Sequence, residues 1–160
     1  MRKVGEFVKY VSTLIAVSDM EISKRFYHDV LGMEVLSDFG ANVTLTGGLS
    51  LQTMDSWINF IGGKSVNLRN NAVELYFEEK DIDMFLIRLK NYEVEYVHDI
   101  KEHSWGQRVI RFYDPDYHII EVGEAMETVV KRFKDMGMTD EQVSERMDVP
   151  LEYVLSFNEI

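Results

Sequence analysis

The chain has 160 residues, 46% of them hydrophobic, 28% charged and 12% aromatic, a composition that excludes a disordered or fibrous protein and predicts a globular domain with a real core. Seventeen Lys and Arg against 28 Asp and Glu leave a formal net charge of −11, which argues against nucleic-acid backbones and anionic membrane surfaces as main partners. The absence of cysteine excludes disulfides, thiolate metal sites and cysteine nucleophiles. No apolar run reaches the roughly 18 residues of a membrane span, and residues 1–10 lack the apolar core of a secretion signal, so a cytoplasmic location is expected.

Residues 10–17 are β-branched and apolar and read as a strand, which stops at Ser18-Asp19, a polar pair suited to cap a helix. From Met20, the residues Ile22, Phe26, Tyr27 and Val30 recur at helical spacing, and Gly32 supplies the stop. Three short strands follow, over 33–39, 41–46 and 49–54. Residues 55–71 carry no clean period and read as a connecting loop with a short helical turn. Its Trp57, Phe60, Lys64 and Arg69 either shape a ligand site or, in the plainer reading, plug one end of the core.

The same order then repeats: a strand over 72–77, a helix opening at Asp81 with Met84, Phe85, Leu86 and Leu89 on its apolar face, and strands over 94–97, 108–113 and 118–122. The two capping acids, Asp19 and Asp81, lie 62 residues apart, and that offset sets Glu74 on Ser12 and Phe77 on Ile15. After residue 123 the pattern turns helical. Val129, Val130, Phe133 and Met136 form one stripe, Gly137 ends it, Thr139 to Gln142 start another helix in capping-box style, and Pro150 suits a first helical turn. The tail superficially resembles a helix-turn-helix unit, but residues 124–160 hold four basic and nine acidic side chains. DNA reading is thereby disfavoured, and packing on the preceding domain or on a second subunit is expected.

Two segments carry a family signature: residues 14–27, LIAVSDMEISKRFY, with Leu31-Gly32, and residues 105–121, WGQRVIRFYDPDYHIIE. They resemble the glyoxalase, bleomycin-resistance and extradiol-dioxygenase superfamily, the vicinal oxygen chelate proteins. The resemblance implies an α+β fold of two βαβββ modules, over about 8–54 and 72–123, joined by the connector 55–71 and curled into an open mixed-sheet barrel, within a glyoxalase-like domain of residues 1–123 that is followed by a C-terminal helical extension, 124–160. It also implies a small-molecule ligand or substrate held in the concavity, and a homodimer.

In metal-using relatives the first and last strands of each module supply the ligands. The matching positions are Ser12, Glu74, Gln52 and Glu121, with Gln52 placed by analogy of Leu51-Gln52 with Ile120-Glu121. The resemblance thus implies a divalent ion (Mg, Mn, Ni or Zn) held by Glu74, Glu121 and Gln52. Carboxylate and amide oxygens favour Mg²⁺ or Mn²⁺ over imidazole-preferring ions, and the missing histidine counts against dioxygenase chemistry. Strand alternation puts Glu74 and Tyr76 on one face and Val73, Leu75 and Phe77 on the other. Two carboxylates in one partly dry cavity require a cation between them or a proton on one, so Glu74 and Glu121 are the catalytic candidates.

Trp105, His103, Tyr76 and Ser12 are the candidate substrate-binding residues. His103 and His98 are expected to flank a loop over 99–105; His28 suits a helix C-terminus; and Tyr117-His118 stand where relatives carry Gly-Asn, which predicts an altered turn. No serine triad, phosphate-cradling glycine loop or HExxH pair is present. Three functions fit: a metal-dependent lyase or isomerase acting on a small oxygenated substrate, a non-catalytic binder of the bleomycin-resistance kind, and a scaffold whose tail pairs with a partner. Truncation after Gly123 tests the third.

Overall fold

The computed structural model describes residues 8–159; the expectation about a secretion signal rests largely on residues 1–7, outside the described residues. The chain divides into two compact units, Met1–Leu68 and Arg69–Ile160. In the first, strand β1 (Thr13–Val17) leads into helix α1 (Met20–Leu31), followed by β2 (Val35–Asp38), β3 (Asn42–Leu45), β4 (Leu49–Thr53) and helix α2 (Met54–Phe60). Helix α1 starts where the sequence places it, because the Asp19 carboxylate accepts the Ile22 N–H at 2.9 Å and satisfies one of the orphan donors of the first turn. It ends at Gly32, whose φ of 70° is left-handed and whose N–H closes on the His28 carbonyl at 2.9 Å. The sheet runs β1-β4-β3-β2, with β1 parallel to β4 and the other pairs antiparallel. Val17, Tyr27, Val43, Leu45 and Leu51 are buried in this unit.

The second unit repeats the order: β5 (Glu74–Glu79), α3 (Ile82–Leu89), β6 (Tyr96–Glu102), β7 (Arg108–Tyr113) and β8 (Ile119–Glu124), with sheet order β5-β8-β7-β6 and again one parallel pair, β5 with β8. Asp81 caps α3 as Asp19 caps α1, accepting the Met84 N–H at 3.0 Å. Phe85 of α3 stacks on Phe112 of β7, ring centroids 6.4 Å apart, so the helix covers the face shared by Leu75, Ile120 and Phe112. The α+β class, the two βαβββ modules and the C-terminal helices are as expected.

Several boundaries move. The first strand begins at Thr13 rather than residue 10, and the connector's helical turn is the seven-residue α2. The strand expected over 94–97 lies at Tyr96–Glu102, which puts His98 inside a strand instead of beside a loop; irregular pairing with β7 there hides the alternation by which a strand is recognised.

The tail forms α4 (Met126–Asp135), α5 (Asp140–Met147) and α6 (Leu151–Leu155), closed by a 3₁₀ turn at Ser156–Glu159. Thr139 and Gln142 make the expected capping box, and Pro150 sits at the N-cap of α6 rather than inside its first turn. Val129, Val130, Phe133, Val143, Met147 and Val154 bury against one another, with Met138 packed on them. Met136, expected in the apolar stripe, is instead 65% exposed, because α4 ends at Asp135. Among the described residues no helix is long and apolar enough to cross a membrane.

Candidate functional site

Registers across the second sheet align Tyr76 with Glu121 and Glu121 with Arg111, while His98 stands opposite Arg111 on β6. Aligned strand residues point to one side, so Tyr76, Glu121, Arg111 and His98 form a row across the face opposite α3, with Glu74 two positions from Tyr76. Glu121 is 5% exposed. Arg111 reaches three neighbours: its Nε donates to Glu74 Oε2 at 2.8 Å, its Nη2 donates to Glu121 Oε2, and its Nη1 lies 3.2 Å from His98 Nε2. Arginine only donates, so His98 Nε2 is the acceptor in this contact.

These contacts separate the two carboxyls electrostatically. The hydrogen bond from Arg111 holds Glu74 below the usual carboxylate range, whereas burial, reinforced by the neighbouring Glu74 carboxylate, pushes Glu121 up to about 7. Both sequence expectations are met in the second unit: Arg111 stands between the carboxylates, and Glu121 is the carboxyl that holds its proton more tightly.

A turn borders this row. His103 and Trp105 stack with ring centroids 4.2 Å apart, and burial followed by the nearby Arg111 charge lowers the His103 pKa. The Trp105 indole N–H donates to Gln107 Oε1 at 3.1 Å, and Gln107 Nε2 donates to the Tyr76 hydroxyl at 2.8 Å and the Glu124 carbonyl at 3.0 Å. The Tyr76 hydroxyl donates to Glu78 at 3.0 Å, and burial pushes its pKa up to about 12. Gly123 makes room for this lattice: a Cβ there would lie 2.6 Å from Gln107 Nε2.

The tail holds the turn from behind. Arg132 Nη2 donates to the Gly106 carbonyl at 2.5 Å and to Glu124 at 3.0 Å, and Arg146 Nη1 donates to the Ser104 carbonyl at 2.6 Å. Both guanidinium carbons sit 5.0 Å from the Phe133 ring centre. Glu124 is fully buried; burial alone would raise its pKa, but Arg132 and Arg108 outweigh it and hold the carboxyl low.

Not every expected site residue joins the row. Gln52 accepts from Asn42 Nδ2 at 2.9 Å and donates to Ser56 Oγ at 2.5 Å, so its amide is spent inside the first unit. Register also changes its assignment: Leu14, 62 residues before Tyr76, stands opposite Ser50, as Tyr76 stands opposite Glu121. Ser50 is thus the first-unit counterpart of Glu121, and Thr44, which faces Ser50, is that of Arg111. Ser12 is an exposed residue just before β1, and its hydroxyl is a weak ligand for any divalent ion. The donor set does not fit a divalent ion as it stands: a guanidinium lies between the two carboxylates, and among the described residues no three His, Asp or Glu side chains form a metal-binding group.

Arg69 of the connector turns to other work, donating to Glu95 and lying 4.8 Å and 5.1 Å from the ring centres of Tyr113 and Tyr117. Tyr117 keeps the positive φ that a glycine would supply, 65°, so the expected altered turn is a change of residue with the left-handed backbone retained. His118 bonds the buried Asp114 at 2.8 Å, and His28 at the end of α1 pairs with Asp29 at 2.8 Å. Arg111 and His98 were missed by sequence reasoning. The alternation that set Glu74 beside Tyr76 also sets Arg111 on the face opposite Ile110 and Phe112, and applying it to 108–113 would have found the arginine.

A family model described as a glyoxalase-like domain matches residues 10–127. A protein of unknown function from Agrobacterium tumefaciens str. C58 is 36% identical, with a TM-score of 0.68 over 76% of this chain and 98% of its own. A glyoxalase-related enzyme from Fulvimarina pelagi (17% identity, TM-score 0.64, covering 75% of this chain and 90% of that one) and a lactoylglutathione lyase from Agrobacterium tumefaciens (22%, 0.55, 74% and 94%) share the fold. No curated protein matches the chain.

Proposed function

Because the chain belongs to the glyoxalase-like domain family, we propose that it is a lyase- or isomerase-type enzyme acting on a small oxygenated substrate, with Glu121 as the group that carries the proton. The observation behind this reading is the placement of Glu121, buried on the sheet face beside Glu74 and in contact with Arg111. A carboxylate there takes a proton from a carbon next to a carbonyl. The C–H electron pair becomes the enolate double bond, and the carbonyl oxygen takes up the negative charge beside Arg111. Where that carbon bears a hydroxyl, Glu121 returns the proton to the former carbonyl carbon while the hydroxyl proton passes to the former carbonyl oxygen, so the hydroxyl becomes the new carbonyl and the isomerisation closes with no atom or electron gained or lost. Glu74, held ionised by Arg111, keeps that guanidinium in place. Tyr76, His103 and Trp105 line the substrate's side. No step runs through a metal, since the donor set does not fit one.

The stacked His103–Trp105 pair also favours a second reading, a binder without catalysis, because a flat aromatic wall holds a ligand whether or not it reacts. The titration that separates the two follows C–H exchange in deuterated water by NMR, using hemithioacetals and small α-hydroxycarbonyl compounds. Exchange catalysed by the wild type and lowered at least about 100-fold by Glu121→Gln supports the enzyme. Saturable binding of the same compounds without exchange supports the binder. Pairing with a second copy belongs to both readings, and sedimentation equilibrium tests it.

A further inference from the structure

Three side chains of metal-ligating type, Glu74, Glu121 and His98, converge on one group, and that group is the guanidinium of Arg111, 2.8 Å from Glu74, in contact with Glu121 and 3.2 Å from His98. They come from three different strands, β5, β8 and β6, while Arg111 rises from β7 between the last two. From this convergence we infer that Arg111 is the resident cation of the site, a covalently attached replacement for a divalent ion.

The chemistry of the contacts carries the inference. Two carboxylates and an imidazole are side chains of the types that hold a divalent transition metal, but as they stand they are spread around the guanidinium and form no metal-binding group. Arginine binds the same set because its planar fork offers donors in three directions and stays charged at any working pH. Its presence repels a second cation at contact distance, since the charges would lie within a few ångströms on a partly buried face. Arg111 side-chain exposure is 21%, and Glu121 is more buried still, at 6%, so water does little to screen that repulsion. The low pKa of Glu74 accords with a cation held permanently in place.

The inference is independent of turnover, so its failure differs from failure of the proposed enzyme: metal uptake is measured without substrate. Purified full-length wild type, Arg111→Ala and Arg111→Lys are compared by elemental analysis and by calorimetric titration with Mn²⁺, Ni²⁺ and Zn²⁺. The wild type and Arg111→Lys, which keep the charge, are expected to take up no stoichiometric ion. Arg111→Ala, with the cation gone and the three side chains free to close on one ion, is expected to bind it at least ten-fold more tightly than the wild type. Adding Glu121→Gln or His98→Ala to it removes that gain. Circular dichroism checks folding; should Arg111→Ala fail to fold, Arg111→Met preserves the stem's packing and takes its place. One ion bound tightly by the wild type overturns the inference, and so does a folded charge-removed variant that binds no better than the wild type.

Discussion

A Cβ placed on Gly106 would stand 2.4 Å from Cζ of Phe133, closer than any real side-chain contact. Gly106 also has φ at 90°, a region L-residues rarely enter. The ring cannot swing away freely, because Arg132 and Arg146 each lie over it at 5.0 Å and its other contacts are the tail's own core. Gly106→Ala is therefore expected to cost about 2 kcal/mol or more, combining overpacking with backbone strain. Urea unfolding of the two proteins measures it. A loss under about 0.5 kcal/mol, the range of ordinary surface changes, would mean the tail yields and does not brace the turn.

The brace also depends on charge. Glu124 is fully buried and shared between Arg108 and Arg132. Arg132→Ala leaves Arg108 as its remaining cation and frees the Gly106 carbonyl, with an expected loss of about 1–3 kcal/mol. More telling is where the loosening occurs. Hydrogen exchange should rise at residues 103–107, where the His103 and Gly106 N–H groups close the turn, and remain unchanged in β1 to β4. Uniform loosening of the whole chain would refute a local role for Arg132.

Much of this architecture was legible in the sequence because it depends on local rules. Asp19, Gly32 and Asp81 announce the helices by capping chemistry, and the Thr139–Gln142 box does the same for α5. Glu74 and Glu121 were found through alternation and through the segment leading to Glu121. What escaped needed pairing between strands that are distant in sequence. Arg111 meets Glu74 37 residues away and Glu121 ten away, and only the β5-β8-β7-β6 order brings all three together. Gln52 was misassigned as the counterpart of Glu121 for the same reason: a shift of two residues between Ser50 and Gln52 preserves the strand face, so alternation alone cannot choose between them. The tail's contacts with residues 102–106 left no periodic signal at all.

The Glu121 carboxyl gives the fold a pH dependence of definite sign. Its folded pKa of about 7 lies above the ordinary 4.5, so the protonated form favours the folded state. The contribution is complete below about 4.5 and is lost as pH rises through about 7, an effect of up to about 3 kcal/mol. His103, with its lowered pKa, acts in the opposite direction as its unfolded form takes up protons, which is why the wild type alone is not diagnostic. The quantity to measure is the stability difference between wild type and Glu121→Gln at pH 5.5 and pH 8.5. The wild type should fall relative to the variant at the higher pH. No change in that difference would place the Glu121 pKa near its ordinary value.

Tyr117 holds a φ of 65°, which costs a non-glycine residue about 1–2 kcal/mol. Its ring recovers part of that cost: it meets Tyr113 edge-on at 5.7 Å, and Arg69 lies over both rings. The edge-on contact between the two tyrosine rings is worth about 0.5–1.5 kcal/mol. Tyr117→Gly removes the ring and the strain together, so its net effect should lie within about 1 kcal/mol of zero. Tyr117→Ala removes the ring and keeps the strain, so it should be the less stable variant by about 1 kcal/mol. Thermal or urea unfolding of both variants gives the order. Equal stabilities would mean that the turn relaxes to negative φ once the ring is gone, and that the Arg69–Tyr113–Tyr117 stack, rather than the hydrogen bonds from Asp116 and His118 to the Asp114 carboxylate, holds the left-handed backbone in place.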